Sequence, residues 1–301
     1  MESKSNIVPY SVIQQNLSDT CKWAGVAQGR IRDYQRHLEQ SRVENTHSRE
    51  TLLSSADILD ILDVWEFWKV HENNFPGIRN KIRKVIEKGP ILPEDENIEI
   101  SDNQARNDLF VYLFVARLIQ VGVQVLSIDG ITGDNYRTIS HEDIVCRFQN
   151  EEIVLECKRP QKLTSINSCA REARKQIQKS EKKGCMALDC SKAIRPTGTV
   201  FDFSNEDKDL DTLLDQIEVD IVPKINSHLK QNVLGAFLVV SVPGMKKMEK
   251  STILSQNGNP FNQYTPFRVY TMVSVSNERE KPPFTKWIYD HLKSHRAIQI
   301  P

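Results

Sequence analysis

The chain has 301 residues, enough for one large domain or two moderate ones. Its 39% hydrophobic and 27% charged content is that of an ordinary globular protein, and 40 Lys plus Arg balance 40 Asp plus Glu. That neutrality removes any global electrostatic argument for nucleic acid, the opening MESKSNIVPYSVIQQ lacks a secretory pattern, and no apolar run approaches the roughly 18 residues of a membrane span.

Residues 1–95 read as a helical region without strand alternation. SSADILDILDVWEFWKVHE sets Ile58, Ile61, Leu62, Trp65 and Trp68 at spacings of three and four, one apolar helix face, with Ser54 or Ser55 as N-cap. IRNKIRKVIEKG predicts a second helix stopped by Gly89 and Pro90, and GPILPEDENIEI reads as a linker marking a boundary near residue 95. Ser101 or Asp102 then caps the apolar helix NQARNDLFVYLFVARLIQ, which Gly122 ends. A strand VQVLSI, a polar loop DGITGDNYRTISH and two strands, DIVCRF and EIVLECK, come next. They lead into a basic helix from about Asn167 to Lys183, stopped by Gly184, and a strand CMALDCS. This order implies an α/β core with a mixed sheet. An acidic stretch, Asp202 to Asp220, grades into a helix reaching His228. VLGAFLVVSVPG and FRVYTMVSVS are strands, Met245 to Pro266 is a long polar loop, and FTKWIYDHLKSH closes the chain as a helix.

The second strand pair carries chemistry. With a turn over Gln149 to Glu152, residues whose numbers sum to 301 face each other, so Asp143 opposes Lys158 and Val145 opposes Glu156. Directly opposed residues share a face, as do residues two apart. Asp143, Glu156 and Lys158 therefore project from one side. Ile144, Cys146, Phe148, Ile153, Leu155 and Cys157 form an apolar face on the other, and a slip of one residue would scramble it.

Two carboxylates beside a lysine suit a hard divalent cation, Mg²⁺ or Mn²⁺, bound by Asp143 and Glu156, with the backbone carbonyl of Cys157 as an extra ligand. Such a cation lowers the pKa of a water and neutralises phosphate charge, and Lys158 orients that water. The E-x-K string occurs four times, starting at Glu2, Glu156, Glu181 and Glu206. Only the second ends an apolar strand and has an aspartate aligned beside it. The structural alternative is an ion pair at a strand end, Lys158 with Asp143 or Glu156.

From about Asp102 to Ser191 the sequence resembles the PD-(D/E)xK, or restriction-endonuclease-like, nuclease superfamily. The resemblance rests on the element order with Asp143, Glu156, Cys157 and Lys158. It is closest to uncharacterised bacterial members with an ARN-x-LF helix, an ECKRP strand end and an ALDxS strand, here Ala105 to Phe110, Glu156 to Pro160 and Ala187 to Ser191. It implies a restriction-endonuclease-like core with a mixed central sheet flanked by helices over residues 96–301. A helical region, 1–95, would serve regulation, a protein partner or homo-oligomerisation. It further implies Mg²⁺ on Asp143 and Glu156 and a water-assisting Lys158. Such proteins often carry a glutamate on the first core helix, where this chain has Val111; Asp108, three residues earlier, is the substitute. As an early-helix acid, Asp108 equally suits the positive end of the helix dipole.

From Lys158 to Lys192 ten basic residues stand against three acids. The local charge suits phosphate, with Arg159, Arg171, Arg174 and Lys175 on the backbone and Gln176 as a polar helper; a solvated helix face is the plainer reading. The six cysteines (Cys21, Cys146, Cys157, Cys169, Cys185, Cys190) show no CxxC pair or zinc spacing, as expected of reduced thiols in a cytoplasmic protein. His141 lies two residues before Asp143, and no histidine cluster forms a metal motif. The expectation is a metal-dependent endonuclease or phosphodiesterase acting on DNA rather than RNA, with no membrane association. The alternative is a catalytically inactive nuclease-fold domain that binds nucleic acid or a protein partner.

Overall fold

In the computed structural model, which describes residues 10–44, 48–97, 103–133, 142–195, 198–202, 206–230, 232–247, 264–276 and 283–294, four helices precede the first strand. They are α1 (Tyr10–Ala24), α2 (Arg30–Glu44), α3 (Arg49–His71) and α4 (Ile78–Glu87). Helix α3 begins nearly two turns earlier than its apolar stripe suggests. Its N-cap is Ser48, whose hydroxyl accepts from the Thr51 N–H. Ser54 and Ser55, the expected caps, are interior and return their hydroxyls to the carbonyls of Glu50 and Leu52.

Helix α5 (Gln104–Gln120) follows and ends before Gly122, which takes the left-handed conformation at φ +87°. The expected caps Ser101 and Asp102 lie outside the described residues, as does His141. The polar loop after β1 (Gln124–Ile128) contains an unexpected short strand, β2 (Ile131–Thr132), turned back by Asp129 and Gly130 at φ +43° and +75°. This is the Asp-Gly hairpin turn that left-handed residues favour.

Next come β3 (Ile144–Phe148), β4 (Glu151–Lys158), α6 (Ile166–Lys179) and β5 (Lys183–Asp189). The basic helix stops four residues before its expected end. Gly184 is not its terminator but a β5 residue, where a Cβ would meet Val154 O at 2.7 Å and Ile177 Cγ2 at 2.9 Å. Helix α7 (Ser191–Ile194) and β6 (Phe201–Asp202) precede α8 (Glu206–Asp220). The helix expected to reach His228 breaks at Ile221 and restarts with Pro223 in its first turn as α9 (Val222–Asn226). Strands β7 (Val233–Lys247) and β8 (Tyr264–Ser276) are longer than expected, so both ends of the long polar loop are strand; α10 (Pro283–Ser294) closes the described chain.

The sheet is mixed, in the order β2-β1-β3-β4-β5-β7, with β6 and β8 both on β7. Strands β4, β5 and β7 run parallel; β1, β3 and β8 are antiparallel to their neighbours. Helices cover both faces. On one, α1–α5 and α10 pack on Ile144, Cys146, Leu155, Cys157, Phe237 and Val239. On the other, α6, α8 and α9 pack on Val145, Val154, Met186 and Leu238. The first of these cores runs from Leu17 to Ile288 and so continues through residue 95, where composition suggested a boundary. Trp65 and Trp68 are buried in it, and no helix among the described residues is long and apolar enough to cross a membrane.

Candidate active site

The hairpin register departs from the expected one. Ile144 pairs with Leu155 and Phe148 with Glu151, so paired numbers sum to 299 and the loop is only Gln149–Asn150. Both loop residues have positive φ, +49° and +68°, the pattern of a two-residue type I′ turn. Val145 consequently faces Val154, not Glu156. Continuing the ladder one step beyond Ile144 and Leu155 sets Asp143 against Glu156 rather than Lys158. The shift is two residues, an even number, so the faces survive: Asp143, Glu156 and Lys158 share one side and the apolar face stays intact.

Side-chain contacts follow from that register. The Asp143 and Glu156 carboxyls lie close enough to act on each other's titration. Lys158 Nζ stands 3.5 Å from Glu156 Oε2 and 3.8 Å from Asp143 Oδ2. Asp143 Oδ2 also accepts from the Cys157 backbone N–H at 2.7 Å. In an extended strand a residue's N–H and C=O point to the same edge, so the Cys157 carbonyl turns toward Asp143 as well. The Glu156 side chain is 3% exposed, Lys158 18% and Asp143 30%, so solvent reaches the group from the Asp143 side.

Burial raises both acids. Desolvation first, then the neighbouring Asp143, pushes Glu156 up to about 8. Asp143 is raised by burial against the opposing pull of Lys158 and the Cys157 N–H. One proton is therefore shared by two carboxyls at neutral pH. Two carboxylates, an adjacent carbonyl and an open side fit Mg²⁺, which takes one or two carboxylates and completes its shell with water and phosphate oxygens. Among the described residues, no group of three or more His, Cys, Asp or Glu side chains is arranged to hold an ion.

Val111 is buried in the apolar core. Asp108 accepts from Gln104; burial raises it, and Asp129 acts on it ahead of Asp143. Asp129 itself adjoins the site, its N–H donating to the Asp143 carbonyl at 2.8 Å, while its carboxylate pairs with Lys81. The Asp-Gly turn at Asp129 is a signal the sequence carried and the reading passed over.

The chain matches no family model, no curated protein and no solved structure.

The strings ARN-x-LF, ECKRP and ALDxS meet in space, though not around the carboxyl pair. Glu96, its side chain wholly buried, accepts from Arg159 Nη1 at 2.8 and 2.9 Å, Arg106 Nη1 at 3.1 Å and Lys192 Nζ at 2.7 Å. Arg159 Nε reaches Asp189 Oδ2 at 3.1 Å, and Asp189 holds Ser191. Arg159, expected on phosphate, is thus turned inward, its guanidinium taken by two carboxylates. Arg171, Lys175 and Gln176 are exposed and Arg174 half-buried on α6.

Beside this network a cavity of about 50 Å³, room for a few waters, lies between α3, α5 and the ends of β4, β5 and β7. Asp60 lines it, accepts from Ser241 and Arg268, and is pushed up to about 7 by burial. Asp57, Asp60 and Asp63 stand three apart on α3, a second inward stripe beside the apolar one. Asp63 pairs with Arg117 and Arg268, and Asp57 with Arg30 and Arg106.

Proposed function

We propose that this protein is a metal-dependent nuclease of the restriction-endonuclease-like, PD-(D/E)xK type, hydrolysing phosphodiester bonds of DNA in preference to RNA. The observation that carries the reading is the gathering of both carboxylates around one lysine at the end of a hairpin, Lys158 Nζ lying 3.5 Å from Glu156 and 3.8 Å from Asp143. Asp143 and Glu156 would hold Mg²⁺ or Mn²⁺, with the Cys157 carbonyl beside them. When bound, the cation supplies an acidified water and a counter-charge for the scissile phosphate. Lys158 orients that water and stabilises the charge that develops on phosphate. The Cys157 N–H fixes the Asp143 rotamer, and the apolar face beneath fixes the strands. Arg171, Lys175 and Gln176, exposed on α6, and the half-buried Arg174 beside them would contact the sugar-phosphate backbone.

The test is incubation with plasmid and with single-stranded DNA plus Mg²⁺ or Mn²⁺, beside a Lys158→Ala chain. Metal-dependent cleavage reduced at least a hundredfold by the substitution is expected; cleavage unchanged by it removes the assignment. The second reading, a non-cleaving domain that binds nucleic acid or a partner, is favoured by one observation: an apolar, buried Val111 where a helix glutamate would complete the acids. It predicts DNA binding without cleavage under either metal.

A further inference from the structure

On α6, Asn167, Arg171 and Arg174 recur at four and three residues, along one face of the helix. That face meets the turn after α9, where the Asn167 side-chain oxygen lies 2.7 Å from His228 Nε2. Asn167 Oδ1 is an acceptor, so Nε2 carries the proton and His228 Nδ1 is the bare nitrogen. Nδ1 is buried and, among the described residues, has no partner; the same holds for Arg174 Nε. Arg174 Nε wants an acceptor, and the bare Nδ1 becomes a second donor once His228 takes up a proton.

The charge around them has one sign. The ionised groups that act on His228 are Arg174 and Arg171 from α6 and Lys230 from its own turn. Among the described residues none of these three forms an ion pair with a carboxylate, whereas Arg106, Arg159, Lys192 and Arg195 all do. A cluster of cations left uncompensated next to an orphaned donor, Arg174 Nε, suits a phosphate oxygen.

We propose that Arg171, Arg174, Lys230 and His228 form a phosphate-binding site, with His228 the buried member that donates from Nδ1 once it takes up a proton. Burial first and then the three cations lower the His228 pKa below its ordinary 6.5 in the empty site. A bound phosphate reverses that field. The histidine is therefore more basic in the complex, and binding tightens as pH falls from the bound value toward the free one. The phosphate is that of a nucleic-acid backbone or a free phosphate; the first choice rests on the nuclease reading, and the site itself does not.

The full chain, with its histidines ¹⁵N-labelled and in EDTA, is titrated with a short single-stranded DNA and, separately, with inorganic phosphate. Binding that moves the His228 midpoint up by about one pH unit, equivalent to about tenfold tighter oligonucleotide binding at low pH, is expected. The DNA diester stays singly charged throughout, so the slope belongs to the protein. His228→Gln should bind with that slope removed, and Arg171→Ala/Arg174→Ala should weaken binding at least tenfold. A response to both probes supports the site with a backbone occupant. A response to inorganic phosphate alone supports it with a free phosphate, and to DNA alone with the backbone only. No response of His228 to either, or an unchanged slope in His228→Gln, overturns the proposal. The NMR signal of the unsubstituted chain decides even if a variant fails to fold. No divalent metal or turnover is involved, so failure here and failure of plasmid cleavage are separate results.

Discussion

Asp143 and Glu156 share one lysine: beyond the last paired residues of their hairpin, Ile144 and Leu155, Lys158 Nζ stands 3.8 Å from Asp143 Oδ2 and 3.5 Å from Glu156 Oε2. Burial puts a proton on this pair: Glu156 is held at about 8, so near neutrality the pair carries one charge rather than two. A divalent cation needs both oxygens charged. Adding Mn²⁺ at about pH 7 should therefore release about one proton per chain, measured in weakly buffered solution. Glu156→Gln should release none, and an unchanged release in that variant would remove the pair as the binding site.

The same raised value has a sign in stability. Glu156 ordinarily titrates at 4.5 and is held at about 8 in the fold, so between those values the folded chain binds more protons than the unfolded one. Its contribution is fully present below 4.5 and is lost as pH rises through about 8. Thermal midpoints of the metal-free protein should fall across that window, and Glu156→Gln, neutral at every pH, should flatten the fall. A variant curve parallel to the parent's would contradict the shift.

Glu96 makes a different kind of prediction, because it ties the segment after α4 to the ends of β4 and α7. Its buried carboxylate compensates Arg106, Arg159 and Lys192 together. Glu96→Ala leaves Lys192 without a carboxylate and Arg106 and Arg159 with only Asp57 and Asp189 between them, for which a loss of about 3–5 kcal/mol is expected by urea denaturation. Glu96→Gln keeps the shape and some hydrogen bonds and should lose less. Since Arg159 follows Lys158, cleavage in either variant should fall further than DNA binding does.

What the sequence disclosed depended on whether an element's pattern was local. The apolar alternation of Ile144, Cys146, Leu155 and Cys157 named both strands and the face carrying the acids, because a two-residue periodicity survives an even slip. It did not name the partner of Asp143, since Gln149–Asn150 is an uncommon type I′ pair and lacks the Asn-Gly or Asp-Gly signature. Glu96 reads as linker in the sequence because two of its three cations, Arg159 and Lys192, come from 63 and 96 residues along the chain. Arg159 was read as a surface cation for the same reason. The Asp57, Asp60 and Asp63 stripe is visible at its spacing of three, yet an acidic helix face is ordinarily solvated, and the arginines of α2, α5 and β8 explain its burial.

The turn itself supplies the sharpest check on the register. Asn150 sits at φ +68° and Gln149 at φ +49°, conformations that cost an L-residue about 1–2 kcal/mol and glycine almost nothing. Asn150→Gly should therefore stabilise the protein by about 0.5–1 kcal/mol, seen as a raised denaturation midpoint, with asparagine's own tolerance of the region keeping the gain small. In the alternative register, with a four-residue turn over Gln149 to Glu152, no left-handed residue is required at 150. Glycine would then only add freedom to the unfolded chain and destabilise by a similar amount. The two registers thus differ in the sign of one substitution. A lowered midpoint would return Asp143 to Lys158 and leave Glu156 diagonal to it, two residues away on the same face.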